Sequence, residues 1–284
     1  MQEETAARTG SRAMSLPYFE LPELPARVPV HVFGAIVTTG VIAGGAVMRR
    51  YARRVGENDE DARRVAGWLA VTGIVGAHVL DVLFYRPGEA LHHPLVLFEV
   101  WTSISSFGGF VGGALGFLYI VRRRRLRIAK WADIAMVGLL VAFTIGRVGC
   151  ASVHDHIGAE TTSAIGVDFP RDVLAQHGVL DGMRSSAPVV RAHDLGLEEL
   201  MYLVPMTALV LWLAFRRRLR PGLLAALAAA LYAPVRFALE RWRPESTDPL
   251  YGGLTFAQWG TIAIFVLACA IGARALAHRS RGTS

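Results

Sequence analysis

Long apolar runs alternate with short polar connections along the whole chain. Seven runs contain about 20 mainly apolar residues, which is enough for a helix to cross a hydrocarbon layer about 30 Å thick. The third run is interrupted by serines and glycines, and the fifth begins with two glutamates. The pattern predicts membrane spans at residues 30–48, 65–84, 103–121, 131–149, 198–215, 222–240 and 255–277.

This pattern predicts an all-α integral membrane protein with seven transmembrane helices in a single membrane domain, residues 1–284. Composition agrees, because 53% of the residues are hydrophobic and 19% are charged, which is too apolar for an ordinary soluble domain. The net charge of +7 is compatible with nucleic-acid binding, but the arginines cluster in short connections between apolar runs. That distribution is typical of membrane topology, so we predict no nucleic-acid partner.

The basic residues also predict the orientation. Every second connection is rich in arginine, and such connections lie on the cytoplasmic side of a membrane. The N-terminus is therefore expected outside and the C-terminus in the cytoplasm. Residues 1–28 lack the pattern of a signal peptide, so the first run is expected to remain as a membrane helix. The basic connections lie at residues 49–64, 122–130 and 216–220, and after residue 277.

The longest connection, residues 150–197, lies on the predicted outer side. A structureless loop of this length is uncommon. We therefore expect a small folded cap or a functional lid at this position.

The chain has two cysteines, Cys150 and Cys269. Their positions in the predicted spans separate them in depth by about 20 Å, at 1.5 Å per helical residue. A disulfide cannot bridge that distance, so we predict none.

Several polar residues inside the apolar runs converge on one depth. Arg147 lies about 24 Å, Arg236 about 21 Å and His78 about 20 Å along their spans from the cytoplasmic side. Glu240 and Arg243 follow Arg236 at i+4 and i+7, on the same helix face. An arginine deep in a membrane helix costs about 2.5–3.5 kcal/mol, so it needs a partner or a function. The convergence predicts a polar site in the outer half of the membrane.

Structural interpretations of these residues stay open. Arg147 and Arg236 could extend their charges to the interface, or pair with Asp155 and Glu240. The glycine-rich run 108–116 is most simply a helix-packing face, because small residues let backbones approach closely. An additional interpretation is that it leaves room for acyl chains.

The segment 154–156, His-Asp-His, resembles part of a metal site. Adjacent positions on a loop are weak evidence, because zinc usually takes three protein ligands in a fixed setting. His92, His93 and His193 lie on the same predicted side, but at no recognised ligand spacing. We therefore predict no metal site.

Four groups of residues carry a family resemblance, and they occur in the family's order and spacing. The groups are Phe84-Tyr85-Arg86-Pro87 with Pro94-Leu95, Trp101 and Ser106-Phe107-Gly108-Gly109; Gly146-Arg147-Val148-Gly149 with Asp155 and Gly158; His193 with Glu199; and Tyr232-Ala233-Pro234-Val235-Arg236-Phe237 with Glu240 and Arg243-Pro244-Glu245. They resemble the prolipoprotein diacylglyceryl transferases, the integral membrane enzymes that begin bacterial lipoprotein maturation.

The resemblance implies a function. Such an enzyme transfers the diacylglyceryl group of phosphatidylglycerol to a cysteine thiol of a prolipoprotein, forms a thioether and releases glycerol phosphate. It implies a multi-pass protein of the inner (plasma) membrane that needs no cofactor. The expected partners are phosphatidylglycerol, prolipoprotein signal peptides and membrane lipid.

The resemblance also implies a set of site residues. Arginine binds phosphate with a planar fork and stays charged, so Arg147 and Arg236 are expected to hold the headgroup and stabilise the departing phosphate. Tyr232 can donate a hydrogen bond to the same group. Asp155 is expected to bind the glycerol hydroxyls or to orient an arginine. The remaining predicted substrate-binding residues are Glu240, Arg243, Gly149 and Gly158.

The sequence departs from the family pattern at several site positions. Phe107 stands where the family has a histidine before paired glycines. Cys150 and Val153 stand where it has asparagines, and Asp155 replaces its glutamate. Phe33 stands where the first span has a tyrosine.

The expected nucleophile is a thiol, which reacts as the thiolate and therefore needs a base or a positive environment. We hypothesise that His154 or His156 acts as the base, since both lie within loop reach of Arg147. The alternative function is a diverged, non-catalytic membrane protein that binds or transports an anionic lipid.

Overall fold

The computed structural model describes residues 16–19, 32–99, 105–243 and 250–277. Long helices account for most of this part of the chain. They are α1 (Val32–Arg54), α2 (Asp59–Tyr85), α4 (Ser106–Arg123), α5 (Ile128–Val153), α7 (Leu195–Arg216), α8 (Leu223–Glu240) and α9 (Phe256–Ala277). A short helix α3 (Pro87–His92) and a 3-10 turn (Pro94–Phe98) connect α2 to α4 across the undescribed residues 100–104.

Within the described residues, six helices are long and apolar enough to cross a membrane, namely α1, α2, α5, α7, α8 and α9. This is the arrangement of a helical, multi-pass membrane protein. The helix α4 corresponds to the predicted third span, but its glycines lower its mean hydropathy and two arginines occupy its last turn. A seventh span at α4 therefore stays a prediction, as does the orientation of the termini.

Helix ends differ from the predicted span limits for local reasons. The helix α2 begins at Asp59 rather than residue 65, because the Asn58 side chain accepts the N–H of Glu60 at 2.8 Å and caps the helix. Asp59, Glu60 and Asp61 then lie in the first turn, where negative charge is favourable. The helix α5 continues beyond residue 149 to Val153.

Glycines let two helix pairs approach closely, as the glycine run 108–116 predicted. A Cβ atom on Gly108 of α4 would lie 2.5 Å from the carbonyl oxygen of Gly76 on α2. On α5, a Cβ atom on Gly138 would lie 2.8 Å from the carbonyl oxygen of Gly44 on α1. The pairs α2–α4 and α1–α5 are therefore the tightest contacts in the bundle.

The other face of the glycine run opens onto a cavity. Gly109 and Gly113 line an apolar cavity of about 650 Å³ between α1, α2, α4 and α5. The run thus packs one helix face and leaves space beside the other. The central core is shared by α1, α2, α4, α5, α7 and α8, and Trp131, Ile134 and Leu203 are fully buried in it.

Residues 154–194 form a folded cap, so the all-α description fails in this segment. Its elements are β2 (Ile157–Glu160), β3 (Val167–Pro170), α6 (Arg171–Gln176), a 3-10 turn (Leu180–Gly182) and β4 (Val189–Asp194). The strand β4 pairs antiparallel with both β2 and β3. The strand β1 (Leu16–Pro17) adds to β3 in parallel, and completes the order β1-β3-β4-β2.

The cap encloses its own apolar core. Phe169, Leu174, Val190 and Ala192 are almost completely buried there. The strands alternate between this core and the surface, as expected for a small sheet with one buried face. A separate hairpin, β5 (Leu250–Tyr251) and β6 (Leu254–Thr255), precedes α9. Both cysteines are free, as predicted.

Candidate functional site

Glu199 is the centre of a buried polar cluster between α5, α7 and α8. One carboxylate oxygen lies 3.0 Å from Nη2 of Arg147, and the other accepts the hydroxyl of Tyr232 at 2.6 Å. The Arg147 and Glu199 side chains are only 2% and 3% exposed. Arg147 therefore has a buried carboxylate partner, and that partner is Glu199 rather than Asp155.

A second ion pair lies at the end of α8. Glu240 accepts from Nη1 of Arg236 at 2.6 Å, from Oγ1 of Thr255 at 3.1 Å and more weakly from Nη1 of Arg243 at 3.4 Å. Arg236 also interacts electrostatically with Glu199 and with Arg147. The two predicted arginines thus belong to one cluster. Glu240 holds Arg236 and Arg243, so its carboxylate positions these two arginines and is not open to a substrate.

Two buried polar atoms in this region lack a hydrogen-bond partner among the described residues. They are Nε of Arg147 and Oε2 of Glu198. A buried donor or acceptor left unsatisfied costs about 1–3 kcal/mol. The first can donate to an anionic ligand, and the second can accept from a hydroxyl group. The other oxygen of Glu198 lies 2.6 Å from Nδ1 of His193, which stacks on Trp242.

Aromatic rings join the polar cluster to the apolar cavity. The Arg147 guanidinium lies 5.1 Å from the ring centroid of Phe143, and Tyr232 contacts the same ring edge-on at 5.6 Å. Phe143 and Phe110 both line the cavity. A charged group and an apolar space therefore adjoin each other, which suits a ligand with a polar head and a long apolar portion.

His154 is buried in the cap and is removed from this cluster. It ends α5 in the left-handed conformation, with φ of 49°. Its Nδ1 lies 2.5 Å from Oδ2 of Asp194, and its Nε2 lies 2.9 Å from the carbonyl oxygen of Phe19. Burial lowers the pKa of His154, but the bonds to Asp194 and Phe19 outweigh it and raise the pKa above its usual value.

These contacts argue against His154 as the base. Both ring nitrogens face acceptors, so neither offers a lone pair to a thiol. The ring also packs against Tyr18 and Phe169. His154 is therefore a structural residue that ties the end of α5 to the cap, and His156 is the base candidate that stays open.

Asp155 and His156 lie at the surface beside the last turn of α5. Nδ1 of His156 lies 2.5 Å from Oδ1 of Asp155. Burial raises the pKa of Asp155, but His156 and the charge of Arg147 outweigh it and hold the pKa below its usual range. The thiol of Cys150 joins this pair, because donor atoms of Cys150, Asp155 and His156 all lie within 4.8 Å of one another. These three residues are the group in the described part of the chain that could hold a metal ion.

Gly149 and Gly158 serve close packing rather than open binding space. A Cβ atom on Gly149 would lie 3.1 Å from the ring of Phe33 on α1. A Cβ atom on Gly158 would lie 2.7 Å from the carbonyl oxygen of Trp242. His78, predicted at the same depth as the arginines, instead joins α2 to the 3-10 turn through a 2.8 Å bond to the carbonyl oxygen of Val96.

No site role was assigned from the sequence to Glu199, Glu198 or Cys150, although Glu199 belongs to one of the groups that carry the family resemblance. A pair of carboxylates at the start of an apolar run was the available signal for the first two, since such groups need buried partners. Cys150 gave no signal on its own, because its partners come from the loop that follows α5.

Comparisons with known proteins agree with the resemblance. The family model for prolipoprotein diacylglyceryl transferase matches residues 21–274. A protein named phosphatidylglycerol–prolipoprotein diacylglyceryl transferase from Thermus thermophilus is 32% identical over 165 residues, which are 57% of this chain and 59% of that relative. Proteins with the same name are 26% identical in Tolumonas auensis over 85% of this chain and 89% of the relative, and 27% identical in Leifsonia xyli over 92% and 78%.

The extent of these matches differs between relatives. The chain spans 58–59% of the length of several curated relatives that it matches, including the one from Thermus thermophilus. The family model, in contrast, covers most of this chain and all the described long helices up to residue 274. The chain therefore belongs to the prolipoprotein diacylglyceryl transferase family.

Proposed function

We propose that this protein transfers the diacylglyceryl group of phosphatidylglycerol to the cysteine thiol of a prolipoprotein, and releases glycerol phosphate. The observation that carries the proposal is the buried arginine cluster beside an apolar cavity. Family membership supports the same reaction, because relatives along most of the chain carry this activity in their names.

In this proposal the lipid phosphate binds the guanidinium groups. Nε of Arg147 is a buried donor without a partner, and Arg236 lies in the same electrostatic cluster. Bonds between guanidinium and phosphate are charge-assisted and stronger than neutral ones. Glu199 and Glu240 hold the two arginines, while Tyr232 and Arg243 lie at the edge of the same headgroup site.

The apolar part of the substrate fits the neighbouring cavity. Its volume of about 650 Å³ lies within the range of small-molecule sites, about 300–1,000 Å³, and its lining is almost entirely apolar. Phe143 lines this space and also contacts Arg147, so one amphiphile can place its phosphate at the arginine and its acyl chains between the helices.

The reaction replaces a carbon–oxygen bond with a carbon–sulfur bond. The thiolate of the acceptor cysteine attacks the glyceryl carbon that bears the phosphate. The carbon–oxygen bond breaks, and its electron pair stays on the departing glycerol phosphate. Arg147 and Arg236 stabilise that developing charge, which is the kind of fixed electrostatic contribution that lowers a barrier most. Asp155 and His156 assist formation of the thiolate.

We further propose that α4 is a seventh span, that the N-terminus lies outside, and that the cap faces the outer side of the inner membrane as part of one membrane domain. Arginine-rich connections support this orientation. Labelling of single cysteines tests it. They are introduced by Ser186→Cys in the cap and by Arg218→Cys in the α7–α8 connection, in a background that carries both Cys150→Ser and Cys269→Ser. A membrane-impermeant reagent added to intact cells should modify the first and spare the second.

The direct test is a transfer assay with purified protein in phosphatidylglycerol nanodiscs. A peptide with a leader-type apolar segment and a cysteine should gain the mass of a diacylglyceryl group, whereas the serine peptide and nanodiscs of zwitterionic lipid should give no product. Anionic lipid bound tightly without transfer to the cysteine peptide would refute the transferase and favour the lipid-binding alternative.

A further inference from the structure

Three side chains of different chemistry converge where α5 ends. Cys150 is in the last turn of the helix, and Asp155 and His156 follow immediately after it. Their donor atoms all lie within 4.8 Å of one another. The Cys150 residue is buried, whereas 32% of the Asp155 side chain and 25% of the His156 side chain are exposed. The group therefore has a buried thiol on one side and is open to an incoming ligand on the other.

A thiolate, a carboxylate and an imidazole are together a set of donors that suits zinc. Zinc sites that act on substrates use three protein ligands and leave a fourth position open, with bonds of about 2.0–2.3 Å. Two ligands of one tetrahedral ion then lie roughly 3.5 Å apart. Nδ1 of His156 and Oδ1 of Asp155 now lie 2.5 Å apart, so these two donors must separate by about 1 Å to share one ion, and the two exposed side chains can supply that movement by changing rotamer.

Charge also suits a divalent cation at this position. The thiolate and the carboxylate carry two negative charges, which match the two positive charges of the ion. The neighbouring cation, Arg147, is already paired with Glu199 at 3.0 Å. Before the acceptor binds, an ion beside α5 therefore leaves no uncompensated charge at the site, and the acceptor thiolate then adds one negative charge.

The backbone that carries the ligands is fixed on both sides. The N–H of Asp155 donates to the carbonyl oxygen of Cys150. Between them in sequence, His154 is held by Asp194 and by the carbonyl oxygen of Phe19. The loop thus presents Asp155 and His156 toward the thiol from a rigid turn, as a site with few ligands requires.

We propose that Cys150, Asp155 and His156 bind one zinc ion, and that its open position binds the thiolate of the acceptor cysteine. The identity of that acceptor rests on the proposed function. On binding, the acceptor S–H gives its proton to water, and the sulfur becomes a ligand of the ion. The same sulfur then forms the bond to the glyceryl carbon as the carbon–oxygen bond to phosphate breaks. The oxidation state of the ion does not change.

Cobalt substitution tests this proposal without requiring turnover. The full-length protein in nanodiscs is stripped of metal with a chelator and titrated with Co²⁺. A thiolate–cobalt charge-transfer band and a tetrahedral visible spectrum should appear at one ion per chain. Elemental analysis should likewise find one zinc per chain after reconstitution with Zn²⁺.

The chain offers a matched control, because Cys269 is the other free cysteine and is exposed on α9. Cys269→Ser should keep the band. Cys150→Ser should abolish it. Loss of an outer-shell partner weakens metal binding by about 10–100-fold, and Asp155→Asn should weaken cobalt binding by more than this. A cysteine peptide should intensify the band as a second thiolate binds, whereas the serine peptide should leave it unchanged.

The outcomes separate this proposal from the proposed function. Any of three results would overturn the zinc site. The wild-type protein could contain no stoichiometric metal, or the cysteine peptide could leave the band unchanged. The band could also survive Cys150→Ser in protein that elutes as a single folded species. Transfer that continues at full rate in metal-free protein would also overturn it while leaving the transferase intact. If the cysteine peptide intensifies the cobalt band but the transfer assay gives no thioether product, the transferase alone would be refuted.

Discussion

Glu199→Gln removes the negative charge at the centre of the arginine cluster while keeping the size of the side chain. In the wild-type protein its two oxygens engage Arg147 at 3.0 Å and Tyr232 at 2.6 Å. The glutamine oxygen can still accept one hydrogen bond, but its amide group is a donor and cannot pair with a guanidinium. We expect the folded protein to become less stable, because Arg147 then stays charged and buried without a counterion.

The magnitude follows from burial. Arg147 and Glu199 are 2% and 3% exposed, so water screens the pair very little. Removing one partner of such a pair costs about 3–5 kcal/mol. A change of 1 kcal/mol shifts the melting temperature of a domain of this size by about 2–4 °C, which predicts a fall of about 6 °C or more.

Thermal unfolding in detergent micelles measures this loss of stability, and added lipid tests its cause. If the uncompensated buried charge of Arg147 is the cause, phosphatidylglycerol should restore more stability to Glu199→Gln than to the wild type, since an anionic phosphate replaces the lost carboxylate. The matched control is Glu60→Gln, which breaks a solvent-exposed ion pair of α2 and should leave the melting temperature close to wild type. A melting temperature of Glu199→Gln equal to that of the wild type would refute the reasoning, as would equal rescue by a zwitterionic lipid.

Three further changes test other parts of the structure. Arg236→Lys keeps the charge but loses the planar fork, so kcat/KM should fall by about 10–100-fold, the equivalent of about 1.5–3 kcal/mol, in the nanodisc transfer assay. Gly108→Ala should lower the melting temperature, because its Cβ would lie 2.5 Å from the carbonyl oxygen of Gly76, whereas Gly45→Ala meets nothing within 4 Å and should not lower it. His154→Phe loses two hydrogen bonds to the cap and should speed limited proteolysis between residues 154 and 194.

Each of these three predictions can be contradicted by a specific result. Unchanged kcat/KM in Arg236→Lys would remove that arginine from phosphate binding. Equal melting temperatures in the two alanine variants would show that the α2–α4 contact can relax. A cap in His154→Phe that resists protease as well as the wild type would show that the histidine is dispensable for its folding.

Hydrophobic patterning predicted most of the helical fold. The run 131–149 lies within α5, and the run 222–240 differs from α8 by one residue, because apolar length is a strong signal in the membrane. Helix ends were less accurate, since they depend on caps. Asn58 starts α2 six residues before the apolar run, and no hydropathy window registers a cap.

The cap was predicted as folded or lid-like, but its sheet was not. Its strands are four residues or six residues long, and β1 joins them from more than 140 residues away in the sequence. Short strands give weak periodicity, and a pairing at such a separation leaves no local signal. The sheet also positions the partner of His154, because Asp194 at the end of β4 forms a hydrogen bond with Nδ1 of its ring.

Only part of the candidate site was predicted, because contacts between distant segments leave no local signal in the sequence. Arg147 and Arg236 stood out because charged groups are costly in apolar helices, whereas Tyr232 was named through the family resemblance. Their counterion was harder to identify from sequence. Glu199 is on a different helix, and pairing across helices is a property of packing rather than of spacing.

The departures from the family pattern acquire a common explanation in this arrangement. Phe107, which stands where a histidine is expected, contacts Phe256 edge-on and lies against Gly260, so this position supplies packing to α9 rather than a proton acceptor. Cys150 stands where an asparagine is expected, and its thiol adjoins Asp155. The proposed zinc site would link these two departures. One position lacks the family's histidine, the other carries a third donor for the ion, and a cation would then stabilise the thiolate in place of a side-chain base. If this exchange is the reason for both departures, Phe107→His alone should not replace the zinc site: it should crowd the contact with Gly260, and transfer by the Cys150→Ser variant should not recover.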